Sequence, residues 1–113
     1  MTVRALNAVD RVVGEGGDAD DVLRAVVAAL AREPDIVWAG IRFLEDGQLV
    51  LGPAAGSPDE ARRLVAPIAY RGDPVGELVV DGIADQAALD HVAASLSEYV
   101  LLGWDTGGSA WEP

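Results

Sequence analysis

The sequence predicts an α+β domain, in which two β-hairpins form an antiparallel sheet and helices gather mainly on one face. Two observations carry this. The apolar residues recur at helical spacing, then twice at strand spacing around a glycine-bearing turn, then again at helical spacing. Hairpins give antiparallel neighbours, and no strand–helix–strand alternation occurs that would build a parallel sheet. At 113 residues, a second hydrophobic core would not fit beside the first. The chain is therefore read as one domain over residues 1–113, with a core over 1–103 and a tail over 104–113.

The first helix rests on Val3, Leu6, Val9, Val12 and Val13, and Gly14-Glu15-Gly16-Gly17 stops it. In the second, Asp18 or Asp20 can cap the start. Val22, Leu23, Val26, Val27 and Leu30 line one face of that helix, and Glu33-Pro34-Asp35 ends it. Residues 36–44 then alternate as a strand, with Val37, Ala39, Ile41 and Phe43 on one face and Trp38, Gly40 and Arg42 on the other. Glu45-Asp46-Gly47-Gln48 is a tight turn with glycine where φ is positive, and Leu49-Val50-Leu51 returns as the partner strand. Ser57-Pro58-Asp59-Glu60 has the form of a capping box, predicting about a turn of helix through Arg63. Residues 64–70 and 75–81 form the second hairpin around Arg71-Gly72-Asp73-Pro74. Asp85 caps a long last helix, whose Leu89, Val92, Ala93, Leu96 and Val100, with Leu101 beside them, face the core until Gly103.

The formal charge is −11, and all eight basic residues are arginines. Such a surface repels phosphate backbones, so nucleic acid and anionic membranes are disfavoured as partners. No run approaches the roughly 20 apolar residues of a membrane span, and the first ten residues lack a secretion signal. A cytoplasmic location is therefore expected. The chain has no cysteine, which removes disulfides, thiolate chemistry and Cys-type metal sites together.

Three segments resemble a GAF domain: Trp38-Ala39-Gly40-Ile41-Arg42-Phe43-Leu44, Leu49-Val50-Leu51-Gly52-Pro53, and Ala66-Pro67-Ile68 with Gly76-Glu77-Leu78. The first two are similar, more narrowly, to the GAF-type free methionine-(R)-sulfoxide reductases. The resemblance implies leading helices, two hairpins, a variable middle that walls the ligand cavity, and a long terminal helix. It also implies reactive cysteines in that middle, which here is shortened to residues 54–63. The substrate-binding glutamate of the family falls at Arg63, reversing the charge, and its acidic pair falls at Val79 and Asp81. With no thiolate to attack sulfur, the chain is expected not to be an enzyme and to need no cofactor, residual sulfoxide reduction being the less favoured reading.

The remaining candidates follow from residue chemistry. Trp38, Arg42 and Tyr70 on the sheet face, with Asp81, are candidate ligand-binding residues, because aromatic rings and one fixed cation suit an apolar or carboxylated metabolite. Trp104 and Trp111 join them, since a tail holding two tryptophans among glycines is expected to fold back over the sheet or onto a partner. Apolar surface on the first and last helices, from Val3, Leu6, Val9 and Val13 to Val100, Leu101 and Leu102, predicts a homodimer through those helices. Asp105-Thr106-Gly107 matches the aspartic-protease triplet but follows a long helix with six residues to spare, which that chemistry cannot use. His91 is the single histidine, too few for a metal site or a triad. The leading expectation is a dimerising interaction module, with a small-molecule sensor as the alternative.

Overall fold

The computed structural model describes the backbone of residues 3–104 and the side chains of residues 6–102. Trp111 and the side chain of Trp104, with the folded-back tail expected of them, lie outside the described residues.

Helix α1 spans Val3–Glu15 and α2 spans Ala19–Ala31. The break between them falls at Gly16 and Gly17, whose φ values of 70° and 119° a side chain would oppose. On α2 the five residues of the predicted stripe, Val22, Leu23, Val26, Val27 and Leu30, are all buried. Asp18 precedes this helix in extended conformation and makes no side-chain cap bond. Its carbonyl accepts from the Val22 N–H, and Asp20 and Asp21 offset the helix dipole in the first turn.

The strands are β1 (Ile36–Glu45), β2 (Gln48–Gly56), β3 (Arg63–Tyr70) and β4 (Asp73–Gly82), followed by α3 (Gln86–Trp104). They form one antiparallel sheet in the order β2-β1-β4-β3. Both hairpins turn on two residues of positive φ, Asp46-Gly47 and Arg71-Gly72, the geometry that matches strand twist. The Asp85 carboxylate accepts from the Ala88 N–H and so caps α3 as expected. The core lies between one sheet face and α2 and α3, with Leu23, Leu30, Ile41, Phe43, Ile68, Leu78, Leu89 and Leu96 fully buried.

Two departures from the sequence reading stand out. A register shift between Ile36 and Trp38 changes the phase of β1, so Ile36 enters the core and Val37 is only half-buried. Strand β2 runs on to Gly56, absorbing part of the expected bridge and leaving residues 57–62 as connector, of which Glu60–Arg62 form one 3₁₀ turn. The apolar residues of the helices are largely used within the chain. Val9 and Val100 are buried, and Leu6, Val12 and Val13 pack against the core, while the Tyr99 hydroxyl donates to the Val13 carbonyl and ties α1 to α3.

Candidate functional site

The sheet face turned away from the helices carries Trp38, Gly40 and Arg42 on β1, Glu77, Val79 and Asp81 on β4, and Arg63, Val65 and Pro67 on β3. Strand register puts Trp38, Asp81 and Arg63 on one rung, near the end where the connector enters. Four rungs along β1, Arg42 pairs with Glu77 at 3.3 Å, both half-buried.

Trp38 is buried although it faces away from the core, because its ring folds back along its own strand over Gly40. A Cβ on residue 40 would stand 2.5 Å from the indole, so glycine is what lets the ring lie flat. The Arg63 guanidinium stacks over the indole, 5.1 Å from the ring centroid. From there it grips Asp81 with two bonds, Nε to Oδ1 at 2.8 Å and Nη2 to Oδ2 at 2.9 Å. The Asp59 N–H donates to Oδ2 at 2.7 Å, Arg62 bonds the Asp59 carboxylate, and the Ser57 N–H donates to the Val37 carbonyl. These contacts fasten the connector to the sheet.

Asp81 is the single buried charged side chain among the described residues. The bonds from Arg63 hold its carboxyl below the usual carboxylate range, helped by the Asp59 N–H and opposed by burial. The same bonds raise Arg63 above its ordinary value.

Of the candidates read from sequence, Trp38 and Asp81 come together, and Arg42 stands on the same face. Tyr70 does not join them. It pairs with Asp73 beside the far turn, seven residues from Arg63 and so roughly 23 Å away along β3. Arg63, at the centre of the cluster, had been read only as a reversed charge. The signal that marked it was alternation, which puts Arg63 in phase with Val65 and Pro67 on the exposed face.

A separate depression of about 300 Å³ opens at the far end of the sheet, between the two hairpin turns and the last turns of α3. Leu44, Asp46, Gly47, Pro74, Val75 and Leu101 line it. For metals, the described residues bring together the exposed carboxylates of Asp18, Asp20 and Asp21 at the start of α2, where the helix dipole alone favours acidic side chains. His91 is exposed and 3.6 Å from Asp10, and the Ser95 and Ser97 hydroxyls donate to carbonyls of their own helix.

Among the described residues, three helices pack on a four-stranded antiparallel sheet in the fold of a GAF domain, and the chain has no cysteine. Neither a protein-family model nor a curated protein matches the chain. Solved structures do. The GAF domain from an Acinetobacter phosphoenolpyruvate-protein phosphotransferase superposes with a TM-score of 0.72 at 18% identity, covering 96% of this chain and 99% of that one. Free methionine-R-sulfoxide reductase from Neisseria meningitidis, in complex with its substrate, gives 0.71 at 16% identity over 90% and 93%. A putative GAF sensor protein from Burkholderia vietnamiensis gives 0.62 at 13% identity over 91% and 94%.

One expectation is overturned. The chain was expected not to be an enzyme, yet several of its structural neighbours are methionine-R-sulfoxide reductases. At these identities the likeness establishes the fold, and it is a fold that carries catalysis as well as sensing. Among the described residues, no helix is long and apolar enough to cross a membrane.

Proposed function

We propose that this chain works as a GAF-type interaction module, engaging a protein partner through the β2 edge of its sheet rather than a small molecule on the sheet face. The observation that supports this is a run of three consecutive apolar residues on that edge, with Leu49, Val50 and Leu51 exposed by 45%, 42% and 52%. Edge strands are ordinarily protected by charge or covered, because their free backbone groups template pairing with another chain. Residues 48–56 hold no charged side chain.

The sheet face is already occupied by the chain itself. A carboxylated ligand seeking Arg63 must displace Asp81, a partner fixed in place by two bonds and by the Asp59 N–H. A thermal-shift screen of amino acids, nucleotides and organic acids tests the reading, since a face ligand at 100 times its Kd adds about 2.7 kcal/mol of stability. No shift is expected. A shift that disappears in Arg42→Ala or Trp38→Phe would place a ligand on the face and overturn the proposal.

The second reading, a small-molecule sensor, is favoured by the 300 Å³ depression and its apolar lining of Leu44, Pro74, Val75 and Leu101. That volume sits at the lower bound of ordinary ligand pockets, roughly 300–1,000 Å³. A ligand there would lose affinity in Val75→Trp and be indifferent to Trp38→Phe.

A further inference from the structure

We infer that the partner of the β2 edge is a second copy of this chain, paired antiparallel about a two-fold axis at Val50 so that two four-stranded sheets become one of eight. The inference rests on the interaction reading above and adds the partner's identity and register.

The turn between β1 and β2 has two residues, so Glu45 and Gln48 form its closing pair. In an antiparallel ladder, hydrogen-bonded and non-hydrogen-bonded pairs alternate from there. Phe43 with Val50 is then hydrogen-bonded, whereas Leu44 with Leu49 and Arg42 with Leu51 are not. The N–H and C=O of Leu49 and Leu51 therefore point outward from the sheet. Placing a two-fold axis at Val50 sets Leu49 of each copy opposite Leu51 of the other, and each of those two pairs exchanges two hydrogen bonds. Side chains follow the same symmetry, leucine meeting leucine on the open face and valine meeting valine on the helix side.

Charge sets where two copies can meet and in which direction. At −11 overall, two copies repel wherever acidic surfaces meet, and the uncharged β2 is where they can approach. A parallel arrangement would stack Asp46 on Asp46. The antiparallel one places Asp46 across from the neutral stretch around Ala54. The other sheet edge, β3, is unsuited, because Arg63 and Pro67 stand on it. The register shift between Gly40 and Arg42 bends β2 at Gly52 and Pro53, which limits pairing to about five residues. Such a contact is smaller than the roughly 1,600 Å² of a standard interface. The dimer is accordingly weak, and it tightens as salt screens the net charge, with a screening length of about 10 Å at 0.1 M.

The absence of cysteine makes the test clean. At a non-hydrogen-bonded pair on the axis, the two Val50 Cα atoms stand about 4.5 Å apart, within the range a disulfide spans, roughly 4.4–6.8 Å. Val50→Cys, Leu102→Cys and Pro67→Cys are each oxidised in the full chain, and the wild type is followed by sedimentation from micromolar to millimolar concentration at low and high salt. Val50→Cys is expected to cross-link at least tenfold faster than the other two. Wild-type association should strengthen with salt, and Val50→Lys, with an unchanged circular-dichroism spectrum, should raise the apparent Kd at least tenfold. Faster linking through Leu102→Cys would assign the dimer to the helices and overturn the inference, and a monomer at every concentration would overturn it as well. Either result differs from a ligand found on the sheet face, which is what would defeat the interaction reading.

Discussion

Replacing Asp81 with asparagine removes one charge from the only buried ionic cluster among the described residues while keeping the shape of the side chain. The carboxylate accepts three bonds, two from Arg63 and one from the Asp59 N–H, at 2.7–2.9 Å. Asparagine keeps one accepting oxygen and turns an NH₂ toward donors that have nothing to give it. Hydrogen bonds to charged groups contribute about 1.5–3 kcal/mol each. Arg63 stands partly in water, where screening lowers that figure, so a total loss of about 2–3 kcal/mol is expected for Asp81→Asn. For a domain of this length, that is a fall in Tm of roughly 10 °C. The pH dependence has a definite sign. A carboxyl whose folded pKa is depressed contributes stability above its unfolded pKa, about 4, and loses it as pH falls through the lowered folded value. Calorimetric melts of wild type and Asp81→Asn should thus differ most at pH 7 and converge toward pH 2–3. Equal melting temperatures at pH 7, or a gap that persists undiminished in acid, would refute the assignment of this cluster as the clasp of the connector.

Two further substitutions probe the same framework. Gly40→Ala puts a methyl 2.5 Å from the Trp38 ring, so the indole must lift and the stacking on Arg63 is lost. A cost of about 1–3 kcal/mol is expected in urea unfolding, together with loss of near-ultraviolet dichroism, and an unperturbed spectrum would show the ring to lie elsewhere. Arg71 holds φ at 52° in the second hairpin turn, a conformation asparagine accepts more readily. Arg71→Asn should therefore stabilise by about 0.5–1 kcal/mol, and a loss of stability would mean that the stacking of Arg71 on Tyr70 outweighs the backbone strain.

What the sequence made legible is what periodicity encodes. The stripe on α2 was readable in full because five apolar residues at helical spacing have one way to face a core, and Asp46-Gly47 announced its turn because few residues tolerate positive φ. Periodicity assigns a residue to a face but not to a rung, and the candidate site depends on rungs. Trp38, Arg63 and Asp81 are separated by 25 and 18 positions in the chain and meet only because the register across β1, β4 and β3 aligns them. Tyr70, on the same hairpin as Arg63, was grouped with Trp38 for its aromatic ring and is separated from it by the same register. The bulge that moved Ile36 into the core in place of Val37 was unreadable for a related reason, since one extra residue shifts phase without leaving a composition signal.

Part of the apolar surface expected on the first and last helices is used within the chain itself. Counting hydrophobic residues on α1 and α3 suggested that a partner must cover them, yet Val9 and Val100 are buried within the chain and the residues beside them are half-covered. Among the described residues, the exposed large hydrophobic side chains are Leu49, Val50 and Leu51, consecutive on β2, with Ile83 and Leu102 elsewhere. Whether a strand is internal or at an edge follows from sheet order, which places the first hairpin's return strand outermost. An identical Leu-Val-Leu run at the centre of the sheet would be core and nothing more. At the edge, without a charge to guard it, the same run exposes two leucines whose backbone groups point outward, and a paired second strand would satisfy the backbone and the side chains at once.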